Sequence, residues 1–264
     1  MNAKQLTLLM IFGVFLFACK KSSNTPEEPA PTKKVKYLSQ VTIVRGTTTS
    51  STYYTYDAQK RLSTVKQGNT TTTYFYDSNK LSSIERITIS GTDISSVVTQ
   101  ITYSDGAFST SAKSYNNGIF NIEHITGYLV IDNKITEIHR DDAIIIIQSY
   151  DSNGNLIKSQ NQLSNGTYTY SDKKNPAMVN ADPDPRNYSS PNILLSSTSN
   201  GTNGAVTTTY TYEFDSKGFI LTSATPNYKG TYTYDSDGYI TTSATANITY
   251  PSQSYTTTYT YTEL

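Results

Sequence analysis

The sequence predicts an all-β protein built as one large antiparallel up-and-down meander, strongly curved into a barrel or half-barrel. Three observations carry this expectation. From Tyr37 onward the hydrophobic period is two: Tyr210, Tyr212 and Phe214 alternate with Thr211 and Glu213, and Tyr232 and Tyr234 flank Thr233. Successive strand residues point to opposite faces, so one face carries rings and the other hydroxyls, the pattern of a sheet with one covered and one wet face. The alternating runs end in a repeated turn phrase, D-S-x-G, at Asp151–Gly154, Asp215–Gly218 and Asp235–Gly238. The composition fits: 36% apolar and 16% charged residues, with 23 Tyr and no Trp, is rich in strand formers and too aromatic for a disordered chain.

At the N-terminal end, Lys4 precedes an apolar run, Leu8 to Phe17, too short to span a bilayer as a mature helix. The run closes in Leu16-Phe17-Ala18-Cys19, with Cys19 the single cysteine, so no intramolecular disulfide exists. This order of charge, apolar run, small residue and cysteine resembles a bacterial lipoprotein signal peptide. The likeness implies residues 1–19 as signal with lipidation at Cys19, and a membrane partner reached through that anchor. Lys20 stands where an Asp retains some bacterial lipoproteins at the inner membrane, which favours an outer-membrane lipoprotein, periplasmic or surface-facing. Residues 20–36, KKSSNTPEEPAPTKKVK, lack any apolar period and read as an extended, flexible tether.

Residues 37–264 read as a single β domain. A first strand is expected over Val35–Arg45. Tyr54 to Leu62 (YTYDAQKRL) and Tyr74 to Leu81 (YFYDSNKL) are hairpin phrases; Lys60 replaces the turn Gly in the first, and the second is one residue shorter. Leu81–Ile89 and Ile94–Tyr103 pair about Ser90-Gly91-Thr92-Asp93. Ala107–Tyr115 and Ile119–Ile125 flank Asn116-Asn117-Gly118, a strong hairpin signal. Tyr128–Ile131 and Ile135–His139 flank Asp132-Asn133-Lys134. Ala143–Ile147 is continuously apolar and is expected to be the most buried strand. In the D-S-x-G phrases, Asp can bond the backbone two residues on and Gly supplies a positive φ, so a type I turn closed by a Gly bulge is expected. Apolar Leu156, Ile220 and Ile240 open the return strands. Tyr56 to Tyr76 and Phe214 to Tyr234 each span 20 residues, one hairpin per period. About fourteen strands follow from this reading. Residues 173–192 hold four prolines and exclude a central strand. They form either a surface loop or a segment that crosses the open side of the sheet and plugs it.

The Y-x-Y-D-x-x-G-x-L phrase resembles the YD repeat of large bacterial wrapping proteins of the RHS type, whose repeats roll β-sheets into shells. The whole layout, from signal to degenerate hairpins, resembles a family of uncharacterised bacterial lipoproteins with a porin-like fold. Neither likeness brings a catalytic residue.

The chemistry is sparse. Calcium loops of the EF-hand type need Gly at position 6 and Glu at 12, whereas Gly sits fourth here, so no metal is expected. His124 and His139 make at most two ligands, with Arg140 beside the second. No G-x-S-x-G elbow or Gly-rich phosphate loop occurs, and no cofactor is expected. Zero formal net charge gives no electrostatic reason for a nucleic-acid partner. The tyrosines are both the natural core and the natural ligand platform. Tyr54, Tyr56, Tyr210, Tyr212, Tyr232 and Tyr234 are the candidate ligand-stacking residues. A membrane-embedded barrel is disfavoured, since a Thr/Ser face makes no lipid-facing band. The expectation is a water-soluble, lipid-tethered, non-enzymatic binding or structural module of the cell envelope, with a glycan, another nutrient-type ligand or an envelope protein as partner. The alternative is a glycan hydrolase with a carboxylate pair among the turns.

Overall fold

The computed structural model describes residues 35–140, 143–175, 183, 185, 186, 190–202 and 204–264. The signal and lipidation site at Cys19, most of the tether, and most of the 173–192 segment lie outside the described residues.

All strands belong to one antiparallel sheet. They are β1 (Lys36–Arg45), β2 (Thr48–Tyr56), β3 (Leu62–Gln67), β4 (Thr70–Asp77), β5 (Lys80–Ser90), β6 (Asp93–Ser104) and β7 (Ala107–Asn116). Then follow β8 (Ile119–Ile131), β9 (Lys134–Arg140), β10 (Ala143–Tyr150), β11 (Leu156–Gln160), β12 (Asn165–Lys174) and β13 (Asn192–Gly201). β14 (Gly204–Thr209), β15 (Thr211–Phe214), β16 (Ile220–Ala224), β17 (Tyr228–Tyr234), β18 (Ile240–Asn247) and β19 (Tyr255–Glu263) complete the set. The helical content of the described residues is one short 3-10 turn, Pro251–Gln253.

Each strand pairs with the next in sequence, and β1 pairs with β19 as well as β2, so the meander returns on itself. One interruption remains. Among the described residues β14 pairs with β13 and β15 with β16, and the two are one run of chain joined through Tyr210, so the edge of β14 away from β13 has no ladder partner. The result is a nearly closed barrel, which removes the exposed edges of an open sheet almost everywhere.

The nineteen strands exceed the expected fourteen. β13 (NILLSSTSNG) and β14 (GAVTTT) lack the aromatic alternation of strands such as β2, β4, β12 and β17. Cross-strand pairing, invisible in a local window, sets them. Tyr128–Ile131 is not a separate strand but the end of the 13-residue β8. Ala143–Ile147 is not the most buried strand: Ile144 and Ile147 are 45% and 47% exposed. The wall is a single layer, so an apolar run fills both faces but only one is covered.

The covered face is the tyrosine face. Its buried members include Leu38, Leu62, Leu81, Ile84, Ile101, Phe108, Ile135 and Ile220. Leu81, Ile84, Ile101, Phe108 and Ile135 form the densest cluster, joined by Tyr74, Tyr76, Tyr128, Val130 and Ile138. Phe108 stacks on Tyr128 at 4.4 Å between centroids. On the opposite face hydroxyls bond across strand pairs, Thr55–Thr64 (2.7 Å), Thr169–Ser196 (2.7 Å), Thr198–Thr207 (2.9 Å) and Thr233–Thr242 (2.6 Å), and exposed apolar residues such as Ile89, Ile94 and Ile125 stand among them.

The turns follow the expected chemistry. In Asp215–Phe219, Gly218 N–H bonds Asp215 O (3.1 Å), and the Asp215 carboxylate accepts from Lys217 N–H (2.8 Å) and Phe219 N–H (2.9 Å). Asp57, Asp151 and Asp235 repeat the pattern. Gly218 and Gly238 take φ of +87° and +84°, and Lys60 adopts +64° in the first copy. The shorter second copy closes through Ser78 at φ +55°.

Candidate functional site

β-Bulges break the ladder at several points, and seven of them share one setting. The register slips by one between Thr55/Tyr56, Ser149/Tyr150, Thr169/Tyr170, Glu213/Phe214, Thr233/Tyr234, Leu129/Val130 and Leu38/Gln40. A bulge interrupts the ladder and frees a carbonyl on the covered face, which then needs a donor. Tyrosine hydroxyls supply it. Tyr56 donates to Leu38 O (2.8 Å), Tyr76 to Leu62 O (2.7 Å), Tyr150 to Ile135 O (2.8 Å) and Tyr170 to Leu156 O (2.9 Å). Tyr212 donates to Leu194 O (2.8 Å), Tyr234 to Ile220 O (3.0 Å) and Tyr261 to Ile240 O (2.9 Å). Each latch ties a strand to the residue just before its neighbour's bulge. Burial pushes the Tyr212, Tyr234 and Tyr261 hydroxyls up to about 12, and raises Tyr56 and Tyr170 in the same direction.

The six candidate tyrosines therefore divide. Tyr56, Tyr212 and Tyr234 are latches, their hydroxyls committed to main chain. Tyr54, on the same face, lines none of the cavities described here. Tyr210 and Tyr232 open onto a cleft of about 630 Å³.

That cleft lies at the interruption of the barrel. β14 forms one wall through Val206, Thr207 and Thr208, and the β16–β17 hairpin forms the other through Ala224 to Tyr228. Ser223, Gly230 and Thr245 contribute to its floor. β16 pairs with β15 only as far as Ala224–Thr211 and then turns back, which leaves β14 without a second neighbour. Gly230 makes room for the Ser223–Tyr232 pair: a Cβ there would lie 2.7 Å from Ser223 Oγ and 2.9 Å from the Tyr232 hydroxyl, and both would have to shift. Ser223 and Tyr232 hydroxyls bond each other at 2.9 Å. No charged side chain lines the cleft among the described residues.

A second cavity, about 520 Å³, lies at the opposite rim, where the Asp turns are. Lys80, Tyr103, Phe108, Val130, Asp132 and Pro185 are among its lining residues, with Lys80 Nζ 5.1 Å from the Tyr103 ring centroid. Pro185 belongs to the proline-rich segment and reaches the β6–β7 and β8–β9 turns. Ser190 and Asn192 hold the segment's exit, through Ser190 Oγ to the Tyr170 hydroxyl (3.0 Å) and Asn192 N–H to Asn155 Oδ1 (3.0 Å).

The acidic residues of the Asp turns serve the backbone. At Asp151 the Asn155 side-chain amide, then main-chain N–H groups, hold the carboxyl below the usual carboxylate range. At Asp235 burial pushes the carboxyl up, but the hydrogen bond from Lys36 and main-chain N–H groups outweigh it and leave it low. His124 and His139 face opposite sides of the wall, as their partners Ala112 and Gly127 show, and His139 Nε2 meets Glu137 Oε2 at 2.9 Å. No group of three metal-ligating side chains occurs among the described residues.

The chain is thus an antiparallel, nearly closed barrel with a cleft at its seam. No protein-family model matches it, and no curated protein matches it in sequence. Among solved structures it is similar to a porin-like protein from Bacteroides vulgatus, at 10% identity and a TM-score of 0.38, over 87% of this chain and 100% of that one.

Proposed function

We propose that this protein is an outer-membrane lipoprotein, anchored through Cys19, whose water-soluble barrel binds a glycan or similar nutrient-type ligand without transforming it. The observation that carries the reading is the pair Tyr210 and Tyr232 on the wall of an open cleft, beside the hydroxyls of Ser223, Thr208 and Thr245. Aromatic rings meet the C–H faces of sugars, and hydroxyls meet their rims. The cleft volume lies in the range of about 300–1,000 Å³ usual for small-ligand sites. The outer face is mixed: charged residues such as Glu85, Lys113, Glu123 and Lys158 interrupt exposed apolar ones such as Ile89, Ile125 and Leu129, so it carries no continuous apolar band of the kind a lipid-facing barrel needs. No helix of the described residues is long and apolar enough to cross a membrane, which leaves the strands to be judged by that face.

The test is a glycan array probed with the mature chain carrying Cys19→Ser, followed by calorimetry on each hit. Binding that Tyr232→Ala or Tyr210→Ala abolishes, with the circular dichroism spectrum unchanged, supports the reading. A blank array from folded protein sinks it. Metabolic labelling with a palmitate analogue, lost on Cys19→Ser, checks the anchor separately.

A further inference from the structure

We infer that the unpaired edge of β14 is the recognition element of the seam cleft, and that it selects an uncharged, extended oligosaccharide; this rests on the ligand-binding reading above. The register decides which groups are available. Tyr210 N–H bonds Leu195 O at 2.8 Å, and β13 and β14 pair in step from Ser196–Thr209 to Gly201–Gly204. Hydrogen-bonded pairs alternate along an antiparallel ladder. Thr208, Val206 and Gly204 therefore share Tyr210's orientation toward β13. The N–H and C=O groups of Ala205, Thr207 and Thr209 point the other way, along the edge that carries Thr207 into the cleft. β14 spans six residues, about 20 Å of main chain at about 3.3 Å per residue. Its edge thus offers a row of alternating donors and acceptors long enough for several sugar rings.

The opposite wall argues against a peptide strand as occupant. A strand added to β14 would lie in line with β16 and run end-on into the β16–β17 tip. There Thr225 N–H already bonds Tyr228 O (2.8 Å), and Asn227 O already accepts from Ile248 N–H (2.8 Å). Pro226 brings no N–H. A strand long enough to use the whole edge would meet that tip at its end, where no free donor or acceptor continues its pairing. A sugar chain presents hydroxyls to β14 and C–H faces to Tyr210 and Tyr232 instead. Charge selection follows from the lining. A carboxylate or sulfate entering a cleft with no charged side chain would lose hydration without a counter-charge.

The experiment is calorimetry on the mature Cys19→Ser chain with neutral oligosaccharides and their uronic-acid counterparts, repeated on Thr207→Pro. Proline is compatible with the open side of an edge strand and removes the cleft-facing donor while keeping the main-chain β13 ladder; Thr207→Ala, which loses only the hydroxyl bond to Thr198, is the control. We expect neutral ligands to bind, uronate forms to bind at least about tenfold more weakly, and Thr207→Pro to lose about tenfold in affinity. Should that variant fail to fold, Ala205→Pro makes the same deletion nearer the hairpin end. Neutral ligand retained by the proline variant but lost by Tyr232→Ala overturns the edge assignment and leaves the ring-stacking site standing. Equal binding of uronate forms overturns the charge selection. Extended peptides binding the cleft while glycans do not overturn both this inference and the glycan reading.

Discussion

The hydroxyl of Tyr234 donates to the main-chain carbonyl of Ile220 at 3.0 Å, and Ile220 is the residue just before the bulge at Leu221. The second tyrosine of each Y-x-Y phrase thus repairs the ladder that the neighbouring hairpin breaks. Bulges raise local twist and help a sheet curve, so the latch stabilises the feature that lets the wall close. Tyr234→Phe keeps the ring and deletes the donor. We expect a loss of about 1–2 kcal/mol, the cost of a half-buried carbonyl left unpaired, measured as a shift in urea midpoint. A stability unchanged within error would mean that water replaces the hydroxyl fully.

Alkaline unfolding follows from the same latches. Burial holds the Tyr212, Tyr234 and Tyr261 pKa values at about 12, against 10.0 for a free tyrosine. Between those values the unfolded chain has lost protons that the folded chain keeps, so stability falls as pH rises. It is fully present below about pH 10 and is lost progressively toward pH 12. Tyrosinate absorbance near 295 nm, followed with far-ultraviolet circular dichroism, should show late-titrating tyrosines released together with unfolding. Early, independent titration of all tyrosines would contradict the latch.

Two turn glycines separate backbone strain from crowding. Gly218 and Gly238 take φ of +87° and +84°, but a Cβ at Gly238 would lie 2.5 Å from the Phe219 ring, whereas at Gly218 it meets open space. Gly218→Ala should cost about 1 kcal/mol for the left-handed backbone alone. Gly238→Ala should cost more, about 2–4 kcal/mol with steric displacement added. Thermal melts of the two variants side by side decide the order.

Asp151 predicts an acid limb. Asn155 and main-chain N–H groups hold its carboxyl below the usual 3.8. A depressed folded pKa contributes stability above the unfolded value, lost as pH falls through the folded one. Asp151→Asn should therefore lower stability at pH 7 and shrink its dependence on pH below about 4. The same slope in both proteins would remove Asp151 from the account.

Much of the architecture was legible because its signals are local. The period of two, the D-S-x-G turns and the Asn-Asn-Gly hairpin each follow from backbone geometry within a few residues. Strands β13 and β14 are hard to read locally because the apolar residues of NILLSSTSNG and GAVTTT are bunched rather than alternating, and Ser and Thr fill both faces of the remainder. Ala143–Ile147 misled for the opposite reason, since an apolar run reports hydrophobicity but not how many layers cover it. Of the six candidate tyrosines, Tyr210 and Tyr232 line the cleft and Tyr56, Tyr212 and Tyr234 act as latches. In Y-x-Y-D the tyrosine next to Asp is the one near the bulge, a rule the sequence contains but local reading does not single out.

The sequence by itself determined the strand chemistry, the turn types and the division into a ring-bearing and a hydroxyl-bearing face, because each depends on neighbours a few residues apart. Tertiary structure alone decided that β1 meets β19, that seven hydroxyls reach carbonyls on adjacent strands, and that β14 keeps an open edge. Those depend on register between segments that for β1 and β19 lie more than two hundred residues apart, from Val44–Thr256 to Lys36–Glu263, which is set by the closure of the whole ring.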